Sequence, residues 1–190
     1  MSMSQRTSRV ILDKVTAPFV RELDSYLKDS PTGHMLTMLD SFRFWGEHRL
    51  IFTMNVKSLY TVIPNDEGLR ALKYFLDKRE VLDPPTHTLL HTAELVLTLN
   101  SFVFYGARTL QRNWWCGNCK LGQNYACLFV GYVEKQMLRN CTGIKPDLYK
   151  REDDAARAAS CTTDDLTQFL TFASSYHPKL EYKWSISSIC

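Results

Sequence analysis

The chain has 190 residues, of which 45% are apolar and 12% aromatic, so it is long and apolar enough to build one globular core. The 23 basic and 20 acidic side chains leave a formal charge of +3, which does not by itself indicate a nucleic-acid-binding protein. No apolar run approaches the roughly 20 residues of a membrane span, and the first twenty residues lack a secretory signal. We therefore expect an intracellular chain with no membrane partner, in either the nucleus or the cytoplasm. The 6 cysteines are too sparse for a disulfide scaffold, so we expect no disulfides.

The N-terminal part of the chain is predicted to begin with a flexible segment, residues 1–17, because this stretch is largely polar and basic. The apolar spacing of PFVRELDSYLKDS then predicts a helix over about residues 18–29, and HMLTMLDSFRFW, residues 34–45, predicts a second one. The β-branched and aromatic residues of IFTMNV, residues 51–56, favour an extended strand. Pro64 ends that segment.

Two further helices and a hairpin are predicted in the middle of the chain. Asn65 is a suitable N-cap for a helix that continues to Arg79, with acidic residues in its first turn. THTLLHTAELVLTLN, residues 86–100, predicts the next helix, and the β-formers on either side of Tyr105 and Gly106 predict a small hairpin.

The C-terminal part contains the clearest helix, NYACLFVGYVEKQML, whose apolar residues recur at three- and four-residue spacing. The adjacent acids Asp153 and Asp154 follow, flanked by DLYK and AARAAS, which read as short strands. A helix over about 163–176, capped within CTTDDL, and a closing strand LEYKWSIS complete the order. Helices and strands are mixed without strict βαβ alternation, which indicates an α+β fold. No boundary inside residues 18–190 indicates a second domain.

Three ordered strings resemble the reverse transcriptases of Penelope-like retroelements, and the resemblance covers about residues 18–190. The first string, FTMNVKSLYTVIPNDEGLRAL at 52–72, is similar to the family's FTMDVKSLYTxIPxxxG. The second, KLGQNYACLFVGYVEKQ at 120–136, is similar to KMxPxYAxLFxGxxE, and the third, PDLYKREDDAARAAS at 146–160, resembles PxLYxRYIDDxxxxxS. Three ordered segments are far more specific than a lone acidic pair.

The resemblance implies the fingers–palm portion of a polymerase, with a small antiparallel sheet packed on helices. It implies RNA-directed DNA synthesis, with an RNA or DNA primer–template and a deoxynucleoside triphosphate as partners and two Mg²⁺ or Mn²⁺ ions as cofactors. It also implies site residues. Asn55, Asp153 and Asp154 stand at the catalytic triad, with Asp153 and Asp154 as metal ligands, whereas Tyr60, Gln111 and Lys120 stand at nucleotide- and template-binding positions.

Three departures from the family pattern fall on this site. Asn55 replaces the strand-borne metal-binding aspartate, and a loss of ~4 kcal/mol of transition-state stabilisation would slow the reaction about a thousandfold. KREDD is one residue shorter than KRYIDD, which alters the strand register before Asp153. The family's glycine-rich QxxGxAMGTKM reads QRNWWCGNCKL at 111–121, as a pair of compensating frameshifts would produce. We therefore expect an impaired or inactive copy.

Family members continue into a thumb and commonly an endonuclease domain, neither of which we identify in this sequence, so we expect little processive synthesis. A non-catalytic nucleic-acid-binding module and a poorly folded structural relic are the alternatives. The oligomeric state stays open.

The other candidate sites also have simple structural interpretations that require no function. Cys116 and Cys119 form a CxxC pair that could be half of a zinc site, but no second pair at zinc spacing follows, and an incidental loop is preferred. His87 and His91 lie four apart with Glu94 outside the pair, which is typical of a plain helix surface. A basic template-facing surface is possible at Lys57, Arg70, Lys73, Arg79, Arg112 and Lys120, although solvated helix lysines and arginines explain several of these residues equally well.

Overall fold

The structure is a computed structural model that divides into two compact units, each built from two separate stretches of the chain. The first unit comprises Met1–Val20 and Ser58–Tyr132, and the second comprises Arg21–Lys57 and Val133–Cys190. The residues described are 3–23, 41–43, 49–98, 101–104, 107–110, 120–149, 156–159 and 161–188. The sequence predicted one fingers–palm domain over residues 18–190, and this division into compact units does not test that prediction. Because both units are discontinuous in sequence, no linker composition marks their boundary.

The first unit is mainly helical and includes one two-stranded antiparallel hairpin. Its elements are α1 (Met3–Leu23, up to Val20), α2 (Leu59–Val62), α3 (Asn65–Leu76), α4 (Thr86–Thr98), β2 (Ser101–Phe104), β3 (Ala107–Leu110) and the first part of α5 (Lys120–Asn140). The predicted helices at 65–79, 86–100 and 124–138 and the strands of the predicted hairpin are therefore confirmed. Helix α3 begins at Asn65 and has Pro64 as its N-cap, so the predicted cap at Asn65 is wrong by one residue. The predicted helix over 34–45 lies largely outside the described residues.

Helix α1 begins at Met3 and continues through Pro18, so the predicted helix start at residue 18 is wrong. Its fully or largely buried residues are Leu12, Thr16 and Val20, which follow one another at the four-residue spacing of a helix face. Thr16 belongs to this stripe because its hydroxyl donates a hydrogen bond to the Leu12 carbonyl at 2.7 Å. The spacing of apolar residues does not predict that a polar residue such as Thr16, whose hydroxyl is hydrogen-bonded within its own helix, is buried.

Helices α1, α3 and α5 pack within the first unit through aromatic and amide side chains. The Phe19 and Phe75 rings lie 6.0 Å apart, and the Tyr74 and Tyr132 rings 5.2 Å apart. The Asn124 amide donates a hydrogen bond to the Asp13 carboxylate at 2.7 Å, which joins α5 to α1. The N-terminal segment therefore contributes to the core of this unit.

Among its described residues, the second unit contains a four-stranded antiparallel sheet and, besides the end of α1, two longer helical segments. Its strands are β1 (Leu50–Val56), β4 (Leu148–Tyr149), β5 (Ala156–Ala159) and β6 (Tyr182–Ser188), in the order β4-β5-β1-β6. The helical segments are the second part of α5 and α6 (Thr163–Ser175). The predicted strands and the helix at 163–176 are confirmed. Thr162 caps α6, because its hydroxyl accepts a hydrogen bond from the Asp165 amide at 3.2 Å.

The core of the second unit lies between one face of the sheet and these helices. Phe52 from β1 contacts the edge of Phe169 from α6, with ring centres 6.3 Å apart. Met137 from α5 and Leu170 from α6 belong to the same buried cluster. The fold is therefore α+β, with a small antiparallel sheet packed on helices, as predicted. Within the described ranges, no helix combines the length and apolarity needed to cross a lipid bilayer.

Candidate functional site

The sheet of the second unit has an outer face that turns away from its core, and Asn55 lies on it. Along β1, Leu50, Phe52 and Met54 are buried, so the residues between them point to the opposite face. Asn55 is exposed there. The structure therefore places the first predicted site residue where a ligand could reach it.

Strand β6 supplies the residues next to Asn55 on the outer face. The antiparallel register places Thr53 opposite Ser185 and Asn55 opposite Lys183. The Thr53 and Ser185 hydroxyls are 2.8 Å apart, which demonstrates that these side chains share one face. We use "outer face" for these four residues.

The acidic pair belongs to a hairpin whose two strands are described but whose turn is not. Leu148 pairs with Ala158 and Tyr149 with Arg157, and β5 in turn pairs with β1, for example Ala156 with Thr53. Asp153 and Asp154 themselves lie outside the described residues, as does Glu152. The altered register predicted before Asp153 therefore stays a prediction.

The hairpin is anchored to α5 by a hydrogen bond that sequence reasoning missed. The Tyr149 hydroxyl donates to Glu134 Oε1 at 2.9 Å, and Glu134 is only 7% exposed. The Tyr149 ring also packs against Phe169, with ring centres 6.3 Å apart. A lone acid on the apolar, buried face of α5 was the signal, since buried carboxylates require polar partners. Glu134 thus fixes the start of the acid-bearing hairpin.

A second contact, in the first unit, joins the first and second strings. Gly68 of α3 lies so close to Tyr125 of α5 that a Cβ on Gly68 would be 2.0 Å from the Tyr125 hydroxyl oxygen. That hydroxyl donates a hydrogen bond to the Asn65 carbonyl at 3.3 Å. Burial, together with the negative charge of Asp66, raises the pKa of the Tyr125 phenol well above its usual value. The phenol therefore stays a neutral donor, and glycine is the residue that this approach requires.

The remaining predicted site residues are only partly placed. Tyr60 lies in α2, directly after a turn in which Ser58 takes a left-handed conformation, with φ 52° and ψ 35°. Lys120 is the first residue of α5. The side chains of Tyr60 and Lys120, and all of Gln111, Cys116 and Cys119, lie outside the described residues. Their predicted roles stay predictions.

The predicted basic surface is largely offset by acids or used structurally where it is described. Arg70 pairs with Asp66 at 3.4 Å, Lys73 pairs with Asp77, and Lys57 pairs with Glu181 at 3.1 Å. The Arg79 guanidinium donates to the carbonyls of Leu76 and Pro84 at 3.0 and 2.8 Å. These residues therefore supply little unpaired positive charge for a nucleic-acid backbone.

The histidines of α4 line an open cavity of about 410 Å³ beside α3, together with charged residues. His91 Nδ1 is 3.7 Å from Glu94 Oε2, and both His87 and His91 are exposed. In the part of the chain that the structure describes, no group of three or more His, Cys, Asp or Glu side chains could hold a metal ion.

Comparisons of the chain with protein-family models, with curated protein sequences and with solved structures find no match.

Proposed function

We propose that this chain is the fingers–palm portion of a Penelope-like reverse transcriptase and that its ancestral reaction is RNA-directed DNA synthesis. In this copy the reaction is impaired. The observation that carries the proposal is that the three resembling strings contact one another, although they lie far apart in the sequence. The first and third strings form adjacent strands, where Phe52 pairs with Arg157.

The other two contacts connect the second string to its neighbours. Gly68 and Asn65 of the first string touch Tyr125 of the second, and Glu134 of the second holds Tyr149 of the third. A palm requires this arrangement, because a strand and an acidic hairpin must lie side by side in one sheet to bring their carboxylates together. Each contact stays inside one unit.

The described residues of the site do not fit a pair of divalent cations. Mg²⁺ favours a concentration of negatively charged oxygen ligands, and Asn55 offers an amide oxygen without charge. Lys183, directly opposite Asn55, adds a positive charge. We therefore assign no metal-dependent step to these residues, and this misfit supports the proposal that the copy is impaired.

The test is primer extension on an RNA template, first with Mg²⁺ and then with Mn²⁺. The native chain, Asn55→Asp, and Asn55→Asp combined with Asp153→Ala are compared after their folding is checked by circular dichroism. We expect more extension from Asn55→Asp than from the native chain, limited by the neighbouring Lys183, and loss of that extension in the combined variant. Silence from all three folded proteins would contradict the proposal, and full activity of the native chain would contradict the impairment.

The runner-up is a non-catalytic module that binds nucleic acid through the outer face. The neutral Asn55 beside Lys183 favours it, because amide, hydroxyl and ammonium groups suit a phosphate better than a metal ion. Binding of a primer–template without extension, weakening as salt rises, is the expected result for this module. Lys183→Thr should weaken that binding, whereas Lys145→Thr, a change at an exposed lysine outside the outer face, should not.

A further inference from the structure

Lys183 and Asn55 are direct neighbours across the pairing of β1 and β6. Seven residue pairs define this register, from Leu50 with Ser188 to Val56 with Tyr182. The hydroxyl contact between Thr53 and Ser185 lies two residues away in each strand, and strand side chains repeat their direction every two residues. Asn55 and the exposed Lys183 therefore project from the same face of the sheet.

The distance between these positions is short enough for a strong charge interaction. Directly opposite residues of an antiparallel pair have Cβ atoms about 4.5–5.5 Å apart. Lys57 lies close to Asn55 in the sequence. Its ammonium donates hydrogen bonds to both oxygens of the Glu181 carboxylate at 3.1 Å. The described residues give Lys183 no such ion pair, and the register places it directly across the strand pair from residue 55.

We propose that Lys183 supplies, at the position of Asn55, the positive charge that a divalent cation would supply in a metal-dependent palm. A carboxylate placed at residue 55 pairs with the Lys183 ammonium and is thereby a weaker ligand for a metal ion. Lys183, and not Asn55 alone, then opposes metal binding at this position. The inference rests on the proposed function in one respect, namely that residue 55 stands at the metal-binding position of a palm.

The first measurement is Mn²⁺ binding, followed by the electron paramagnetic resonance signal of the free ion. The proteins are the native chain, Lys183→Thr, Asn55→Asp and the double variant, with no nucleotide or nucleic acid present. Removing one positive charge at about 6 Å from a divalent ion strengthens binding about tenfold even at the dielectric constant of water. We expect the double variant to bind Mn²⁺ at least tenfold more tightly than Asn55→Asp. Lys179→Thr, which removes an exposed lysine outside the sheet, is the matched control and should have no effect.

A second measurement tests the charge interaction without any metal. Asn55→Asp should raise Tm by up to about 3 °C at low salt when Lys183 is present, because opposite charges across a strand pair are stabilising. The gain should disappear in the Lys183→Thr background and in 1 M salt.

The two measurements separate this inference from the proposed function. If the Tm gain depends on Lys183 but no variant binds Mn²⁺, the charge interaction stands and the proposed metal-derived function fails. If Asn55→Asp has the same effect on Tm with and without Lys183, or if Asn55→Asp binds Mn²⁺ and the double variant binds it no more tightly, the inference is overturned.

Discussion

Gly68→Ala tests the contact between the first and second strings directly. A Cβ at residue 68 would lie 2.0, 2.4 and 2.9 Å from the hydroxyl oxygen, Cζ and Cε1 of Tyr125. Tyr125 cannot readily swing aside, because it is only 3% exposed and its hydroxyl is bound to the Asn65 carbonyl. The added methyl group therefore forces the two helices or the ring to move.

The magnitude follows from two opposing effects. Replacing glycine by alanine inside a helix ordinarily stabilises it by about 1 kcal/mol. Overpacking a tight core site costs about 1–3 kcal/mol, and three short contacts with one buried ring place this site at the upper end. We expect a net loss of about 2 kcal/mol, which lowers Tm by roughly 4–8 °C in a chain of this length.

The assay is urea unfolding followed by far-ultraviolet circular dichroism, with the same substitution made in two backgrounds. In Tyr125→Leu the ring is absent, so Gly68→Ala should be neutral or should stabilise by up to about 1 kcal/mol. Gly143→Ala is the matched control, because a Cβ on Gly143 would have no atom within 4 Å apart from those of its own residue and its two chain neighbours. It should change stability by less than about 0.5 kcal/mol. If Gly68→Ala stabilises the native chain as much as the Tyr125→Leu variant, the argument for a required close approach is wrong.

Two further substitutions test the scaffold of the second unit, and a third tests the turn before α2 in the first unit. Tyr149→Phe keeps the ring but leaves the buried Glu134 carboxylate without one donor, so it should cost about 1–3 kcal/mol in urea unfolding. The loss should be much smaller in a Glu134→Leu background, and equal losses in both backgrounds would contradict the anchoring role. Thr162→Ala removes the α6 cap and should cost about 1 kcal/mol, whereas Thr163→Ala should cost much less. Ser58→Gly relieves a left-handed residue and should raise the midpoint of thermal unfolding, and a fall would refute this account.

Much of the fold could be predicted because most elements carry a simple periodicity. The alternation along β1 and the apolar faces of α3 and α6 set both the type and the approximate bounds of these elements. The start of α1 could not be predicted in the same way, because Pro18 resembles a helix start and Thr16 interrupts the apolar stripe. Local patterns say little about a polar residue whose hydrogen bond is made within its own helix.

The sequence predicted only those residues of the candidate site that lie in one of the three resembling strings. Asn55 could be assigned from the first string, but its neighbour Lys183 is more than a hundred residues away and belongs to an unremarkable strand. Glu134 was part of a quoted string, yet its hydrogen bond to Tyr149 depends on how α5 packs on the sheet. Cross-strand partners and buried polar contacts follow from tertiary register, which no local spacing encodes.

The positions of these residues separate the contacts that hold the fold from the exposed residues of the candidate site. The contacts that join the three strings involve buried groups such as Tyr125 and Glu134, whose loss costs folding free energy. Asn55 and Lys183 are exposed, and substitutions at exposed positions usually change stability by less than about 0.5 kcal/mol. Changes on the outer face therefore leave the fold intact, whereas changes at the buried contacts do not.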